Sequence, residues 1–207
     1  MVSRRDNAVK DMSSIFPLWL KIVCTLYVCL LVPIYWVQYG PTNFLWFSDI
    51  ALLLIVPALW FESALLASMM ALSVALLELT WNVDFFGRLL TGKELIGLSK
   101  YMFDATIPLG VRGLSLFHIV LPPLLLWMVH RLGYDGRALP AQTVLAWLVL
   151  PLSYWLSNPV ENANWVYGFG SKPQTWMPAP LFVMLLMLAF PLLIYLPTHF
   201  ALKKIFA

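Results

Sequence analysis

Residues 63–83 have the sequence SALLASMMALSVALLELTWNV, which is apolar over most of its length and contains one charged residue, Glu78. An α-helix needs about 20 mostly apolar residues to cross the hydrocarbon core of a bilayer. A charged group inside such a helix costs about 2.5–3.5 kcal/mol on insertion scales, which makes it a functional candidate by default. The stretch therefore predicts a membrane-spanning helix that carries a functional polar group.

Other stretches of the chain have the same apolar character, and each predicts a further span. Together the predicted spans are residues 15–39, 44–61, 63–83, 109–130, 139–158 and 179–202. Residues 84–108 are more polar, and residues 94–103 predict a short interfacial helix between the third and fourth spans. The sequence shows no internal repeat. The predicted fold class is all-α: a polytopic membrane protein with six transmembrane helices in one integral membrane domain, residues 1–207.

The composition excludes several classes of protein. Apolar residues make up 61% of the chain and charged residues 11%, whereas soluble domains are about half apolar and a quarter charged. The net charge of +3 is not gathered into the basic stripe that phosphate recognition needs, so we expect no nucleic-acid partner. Cys24 and Cys29 lie inside one apolar run and predict inert thiols.

The distribution of Lys and Arg predicts the orientation, because these residues are enriched in cytoplasmic loops. With the N-terminus inside, the inner set is Arg4, Arg5, Lys10, Lys21, Arg131, Arg137, Lys203 and Lys204. The outer set is Arg88, Lys93, Lys100, Arg112 and Lys172. The first span is too long for a signal peptide, so we expect it to be retained. The sequence thus predicts both termini inside, in the cell (inner) membrane if the source is bacterial.

Polar side chains inside the predicted spans are few and share one half of the membrane. The ionisable ones are Asp49, Glu78, Arg112 and His118, with Asn43, Ser48, Asn82, Ser115, Tyr154 and Asn158 as polar companions. Glu78 and Asn82 are four residues apart and share a helix face. The pattern predicts a polar pocket that opens to one leaflet beneath the polar loop 158–165. An ion-pair network that holds the helices together, with Arg112 bound to Asp49 or Glu78, would give the same pattern.

Two adjacent prolines in the fourth span affect the backbone near this pocket. Proline lacks the N–H that would bond the carbonyl four residues earlier, so Pro122 and Pro123 free the carbonyls of His118 and Ile119. We expect the helix to bend there, next to the one deeply placed histidine.

Several kinds of chemistry are open to such a pocket. A serine hydroxyl such as Ser48 needs an adjacent base, and His118 could serve, oriented by Asp49 or Glu78. A single deep histidine without an HxxxH or HExxH pattern disfavours a metal site, and we predict no metal and no cofactor. A small-molecule or proton-coupled transporter would use Asp49, Glu78, Arg112 and His118, although no polar residues continue through the inner half.

Three short motifs resemble those of a known family. They are Leu45-Trp46-Phe47-Ser48-Asp49-Ile50-Ala51, Ser115-Leu116-Phe117-His118, and Asn158…Asn164-Trp165-Val166-Tyr167…Lys172-Pro173. In order and spacing they resemble the six-helix membrane proteins that group bacterial YwaF-like proteins with the androgen-induced membrane hydrolases and their transmembrane acyltransferase relatives. The resemblance implies Ser48 as nucleophile, where the family has Cys or Thr, His118 as base, and an acyl ester or lipid substrate.

We therefore predict a membrane-embedded hydrolase or acyl transferase whose partner is a membrane lipid or lipid-like ester. The predicted catalytic residues are Ser48, His118, Asp49 and Glu78. The predicted substrate-binding residues are Asn43, Asn82, Arg112, Ser115, Tyr154, Asn158, Asn164 and Trp165, of which Arg112, Asn158 and Asn164 would hold a polar headgroup or an oxyanion. The alternative prediction is the transporter or small-molecule-binding membrane protein.

Overall fold

The computed structural model describes residues 14–169 and 172–206, and within them the protein is helical without strands. The α-helices are α1 (Leu18–Tyr39), α2 (Phe47–Trp60), α3 (Ala64–Thr91), α4 (Leu109–Leu114), α5 (Phe117–Leu132), α6 (Ala138–Leu156), α7 (Ala179–Ala189) and α8 (Leu196–Phe206). Short 3-10 helices cover Pro41–Leu45, Lys100–Phe103 and Ala163–Trp165, and a π-helix, Phe190–Tyr195, joins α7 to α8. The predicted all-α class is confirmed. Arg4, Arg5 and Lys10 of the predicted inner set lie outside the described residues.

Five helical segments are long and apolar enough to cross a membrane. They are Leu18–Tyr39, Ala64–Thr91, Leu109–Leu132, Ala138–Leu156 and Ala179–Phe206, where the last two helices of the chain and the π-helix between them count as one segment. The second predicted span corresponds to α2, which is apolar but only 14 residues long. Length and composition thus identify an integral membrane protein with five such segments in the described part of the chain.

Helix α3 lies at the centre of the bundle and packs against α2, α5, α6 and α8. Its apolar side chains, such as Met70 and Leu72, are fully buried. The same helix buries Ser68, Ser73, Glu78 and Asp84. Each of these four polar groups has a hydrogen-bond partner in a different part of the structure. A buried polar group needs such a partner because it has lost its hydrogen bonds to water. Ser68, for example, accepts the backbone N–H of Asp135 at 3.0 Å.

The segment after α3 differs from the prediction. Helix α3 continues to Thr91 instead of ending near Val83, and Gly92 ends it in the left-handed conformation with φ +72°. Residues 94–103 do not form the predicted interfacial α-helix; only Lys100–Phe103 is helical, as one 3-10 turn.

The buried carboxylate of Asp84 explains this difference. It accepts the N–H of Ile96 at 2.7 Å, of Gly97 at 3.1 Å and of Ser99 at 2.8 Å, and the Ser99 hydroxyl at 2.7 Å. These amides cannot also join a regular helix, so the chain folds back as a loop over the end of α3. The apolar spacing of residues 94–103 could not reveal this competition.

A buried ion pair fixes the beginning of α1. The Lys21 ammonium, with its side chain 8% exposed, lies 3.0 Å from Glu62 in the turn between α2 and α3. It also donates to the Ser14 hydroxyl at 2.8 Å. Burial opposes ionisation of Glu62, but donors from Ser14 and Lys21 and the backbone N–H groups of Ile15 and Phe16 lower its pKa to about 2. The pair therefore clamps this end of the bundle in its charged form.

Removing the Asp84 carboxylate should unfold the protein more easily. We expect Asp84→Ala to lower the free energy of unfolding by about 3 kcal/mol, because it leaves three N–H groups and the buried Ser99 hydroxyl without their acceptor. Thermal unfolding in detergent micelles measures the effect. The control is Asp104→Ala, which removes an exposed carboxylate bonded to Thr106 and should cost only a small fraction of that loss. Equal effects of the two substitutions would contradict the role of Asp84.

The clamp at Glu62 predicts a pH dependence. Because folding lowers the pKa of Glu62 from its ordinary value of 4.5 to about 2, its stabilisation is complete above pH 4.5 and is lost as the pH falls toward 2. The difference in Tm between the wild type and Glu62→Gln should be constant between neutral pH and 4.5 and should shrink below it. Glu94→Gln, at a half-exposed carboxylate, is the control. A difference that does not change between pH 7 and 3 would contradict the clamp.

Candidate functional site

Glu78 and His118 form a hydrogen-bonded pair in the interior of the bundle. The Nδ1 atom of His118 lies 2.8 Å and 3.0 Å from the two carboxylate oxygens of Glu78. The imidazole stacks on Trp81 at 4.6 Å between ring centroids and on Phe117 at 4.1 Å. No residue that the structure describes hydrogen-bonds Nε2, and 12% of the His118 side chain stays exposed. The ring is thus fixed in orientation, with Nε2 available to another group.

The predicted effect of the prolines appears in the backbone of this site. The His118 carbonyl, which Pro122 cannot bond, accepts the side-chain amide of Asn82 at 2.8 Å. The same amide nitrogen donates to the Glu78 carbonyl at 2.7 Å. The α-helix is interrupted at residues 115–116, between α4 and α5, just before His118, and the bend at the prolines remains a prediction. Asn82 therefore links α3 to α5 at the position where Glu78 hydrogen-bonds His118.

Tyrosines complete a group that we call the polar cluster: Tyr35, Asp49, Glu78, Tyr101, Ser115 and His118. The Tyr35 and Ser115 hydroxyls lie 2.6 Å apart. Burial raises the pKa of Tyr101, in the loop between α3 and α4, and the nearby Tyr35, Asp49 and Glu78 add to this increase. On α1, Tyr27 donates from its hydroxyl to the Leu114 carbonyl.

Sequence reasoning missed these tyrosines. Tyr27 and Tyr35 are about two helical turns apart on α1, which was a signal for a shared face. Nothing local to Tyr101 indicated its position, because that position depends on the loop that Asp84 folds back.

Asp49 is the least satisfied member of the polar cluster. Its side chain is 5% exposed, and the buried atom Oδ1 has no hydrogen-bond partner among residues 14–169 and 172–206. It lies within electrostatic reach of Glu78 and Tyr35. A buried carboxyl oxygen without a donor is expensive, so Asp49 marks a point where a donor from a substrate, or a proton, would be received.

Ser48 does not hydrogen-bond His118 in this structure. Successive positions of an α-helix point about 100° apart, and Asp49 is the one that faces the polar cluster. Ser48, half-buried on the first turn of α2, is therefore turned to one side of it. Its role as nucleophile remains a prediction.

Arg112 takes no part in the expected ion-pair network. Its guanidinium donates to the Met102 carbonyl at 3.1 Å, and no carboxylate of the described residues lies within 4.0 Å of it. Its Nε atom is buried and has no hydrogen-bond partner among residues 14–169 and 172–206. Arg112 instead anchors the 3-10 turn that carries Tyr101. The pairing found is Glu78 with His118.

Asn164 braces the loop after α6 against the beginning of α2. Its Oδ1 accepts the N–H of Phe47 at 3.1 Å, and its Nδ2 donates to the Leu45 carbonyl at 2.7 Å and to Ser153 at 3.1 Å. With both ends engaged and 2% exposure, it has no free group for a substrate. The geometry favours a structural role over the predicted binding role.

Tyr154, Asn158 and Trp165, also predicted to bind substrate, contact groups other than the Glu78–His118 pair, unlike Asn82 and Ser115. Asn158 accepts the N–H groups of Val160 and Glu161 in its own turn. Tyr154 packs on Tyr167, with ring centroids 5.2 Å apart, and Trp165 packs edge-on against Trp46 at 5.5 Å.

Asn43 lines a cavity of about 150 Å³ at the end of α1, which we call the interfacial cavity; its walls are Tyr39, Thr42, Asn43, Trp46, Glu161 and Ala163. The predicted set is thus divided between two places. In the described part of the chain no group of three or more His, Cys, Asp or Glu residues could hold a metal ion.

Comparison of the chain with protein families, curated proteins and solved structures gave no match. The resemblance to the YwaF-like and androgen-induced hydrolase group accordingly remains a prediction. By the length and composition of its helices the protein is a polytopic α-helical membrane protein, and it contains a hydrogen-bonded glutamate–histidine pair in its interior.

The structural role of Asn164 can be tested directly. We expect Asn164→Ala to lower the free energy of unfolding by about 3 kcal/mol, because Phe47 N–H and the Leu45 carbonyl lose their partner. Asn158→Ala, in an exposed turn of the same loop, should cost less than about 1 kcal/mol. Unfolding of both variants in detergent micelles gives the comparison. A fully stable Asn164→Ala protein would restore Asn164 as a candidate for substrate binding.

Proposed function

We propose that the protein is a membrane-embedded hydrolase or acyl transferase that acts on a lipid-like ester. The Glu78–His118 pair carries the proposal. A carboxylate bonded to Nδ1 holds the imidazole in one orientation and stabilises its charged form, while Nε2 stays available to accept a proton. This is the arrangement that a general base needs beside a hydroxyl nucleophile.

In this mechanism Ser48 attacks the ester carbonyl. A bond forms between Ser48 Oγ and the carbonyl carbon while the hydroxyl proton passes to Nε2 of His118. The proton then goes to the leaving alkoxide as its bond to carbon breaks. Water, or an acceptor alcohol in a transferase, releases the acyl group by the same steps. Since catalytic contacts are often long before substrate binds, Ser48 would approach Nε2 in the complex.

The same residues can bind the substrate around this reaction. The hydroxyls of Tyr35, Tyr101 and Ser115 belong to the same polar cluster as the Glu78–His118 pair, and hydroxyl donors are suited to stabilising a developing oxyanion. The aromatic walls formed by Trp81 and Phe117 would receive the apolar part of an ester. An apolar substrate would enter from the bilayer, against which the outer faces of α3 and α5 lie.

The proposed arrangement in the membrane has six spans and both termini inside. Helix α2 alone extends about 21 Å, short of the roughly 30 Å hydrocarbon core. The 3-10 helix Pro41–Leu45 that precedes it adds about 10 Å at ~2 Å per residue. The two together would complete a sixth span, and an even number of spans puts both termini on one side. The proposed location is the inner membrane if the source is bacterial.

A second candidate function is a proton-coupled transporter, and one observation favours it. Gln142 donates to Ser73 at 2.9 Å and lies 3.4 Å from the Tyr195 hydroxyl. Ser73 precedes Glu78 on α3 by about 7.5 Å. Buried polar groups therefore continue along α3 from Glu78 toward its N-terminal end. With Asp49 and Glu78 they supply groups that could pass protons.

Labelling with a serine-reactive fluorophosphonate tests the hydrolase proposal. We expect the purified protein to be labelled, Ser48→Ala to abolish labelling, and His118→Ala or Glu78→Gln to slow it by roughly 100-fold, since a general base contributes about 10²–10⁴. Ser63→Ala, at the cap of α3, is the serine control and should be labelled normally.

The outcomes separate the two candidates. Loss of labelling in Ser115→Ala with retention in Ser48→Ala would transfer the nucleophile to Ser115. If neither a polar nor a long-chain fluorophosphonate labels the folded wild type, the serine mechanism is wrong and the transporter takes precedence. Size-exclusion chromatography and circular dichroism show whether each variant is folded.

A further inference from the structure

The interfacial cavity is a half-open space between the end of α1, the 3-10 helix Pro41–Leu45 and the loop after α6. Its volume of about 150 Å³ matches that of cavities that hold a benzene-sized molecule. It is therefore large enough for a small headgroup and too small for an acyl chain. None of its lining residues belongs to the polar cluster.

Two aromatic rings and one carboxylate dominate its lining. Trp46 and Tyr39 both line the cavity, and tryptophan is the best side chain for attracting a cation to its face. Trp165 packs edge-on against Trp46 with ring centroids 5.5 Å apart, which holds the Trp46 ring in place. Preformed rings of this kind bind without first losing side-chain freedom.

Glu161 supplies negative charge that the protein does not neutralise. Among residues 14–169 and 172–206 no cation lies within 4.0 Å of its carboxylate. Glu161 is exposed, and within the described residues its carboxylate accepts one bond, at 3.3 Å from the Asn158 N–H. The Tyr39 hydroxyl is buried without a hydrogen-bond partner in the same described residues. The cavity thus combines a cation-attracting wall with an unpaired anion.

We propose that the interfacial cavity binds a quaternary ammonium group. Such a group has no N–H to donate, so it does not require the ring of acceptors that a primary ammonium needs, and it is attracted by aromatic faces and a carboxylate. The site lies at the end of α1, where Trp36 is exposed and where aromatic residues mark the headgroup level of a membrane. The ligand would be a choline-type lipid headgroup or a soluble quaternary ammonium compound. The proposal does not depend on the proposed enzymatic function.

Binding of tetramethylammonium to protein in a maltoside detergent tests the site. We expect tetramethylammonium chloride to raise the Tm saturably relative to sodium chloride at equal ionic strength. Glu161→Gln keeps the size of the side chain and its acceptor for Asn158 but removes the charge, and it should weaken binding about tenfold. Trp46→Leu should weaken it similarly. Glu94→Gln and Trp176→Leu, which change a carboxylate and an indole outside the cavity, should bind like the wild type.

The same binding measurement in lipid nanodiscs distinguishes a lipid headgroup from a soluble ligand. If phosphatidylcholine nanodiscs abolish tetramethylammonium binding and phosphatidylglycerol nanodiscs do not, the site holds a lipid headgroup. If binding persists in both, the ligand is a soluble quaternary ammonium; both results support the proposal.

An equal Tm increase with sodium chloride, or equal binding by the wild type and Glu161→Gln, would overturn the proposal. If Trp46→Leu does not fold, Trp46→Phe replaces it and should bind with intermediate affinity. A protein that fails the fluorophosphonate test can still pass this one, because the two sites share no residue.

Discussion

A polar group buried in a membrane protein must find a partner within the protein, and helix α3 is built around that requirement. Its four buried polar side chains lie at different levels and meet four different parts of the chain. Ser68 meets the turn before α6, Ser73 meets α6, Glu78 meets α5, and Asp84 meets the loop that follows α3. Apolar packing alone would let these elements slide or rotate against α3. The polar contacts determine the positions of these elements relative to α3. They therefore also determine the position of His118 relative to Glu78.

The geometry of the Glu78–His118 pair depends partly on the backbone N–H that Pro122 lacks. Pro122 has no N–H, so the His118 carbonyl is left for the Asn82 amide, which also bonds the Glu78 carbonyl. The Asn82 side-chain amide therefore joins the backbones of Glu78 and His118. Any shift of α5 along α3 would break this contact and the contact between Glu78 and Nδ1 together. The backbone carbonyl and the side chain of His118, the histidine with a candidate chemical role, are therefore both held by α3.

Helical periodicity predicted which residues of one helix share a face. It could not predict positions that depend on the fold of a loop. Glu78 and Asn82 lie four residues apart on one helix, so spacing placed them on one face, whereas it left open whether Glu78 would meet His118 or Arg112. Tyr101 could not be assigned to the polar cluster, because its position follows from backbone bonds to Asp84. The same bonds replaced the interfacial helix expected at residues 94–103. Asn164 resembled a binding residue because a polar residue in a polar loop gives no local sign that it braces another helix.

The π-helix Phe190–Tyr195 determines how α8 faces the rest of the bundle. A π-turn holds about one more residue than an α-turn, so it advances the phase of everything that follows by roughly 100°. With that advance Tyr195 points into the core and His199 reaches the Tyr134 hydroxyl at 2.7 Å. Loss of a single residue from this segment would restore a regular helix and rotate the inward face of α8 toward lipid. For this helix the number of residues before it matters more than their identity.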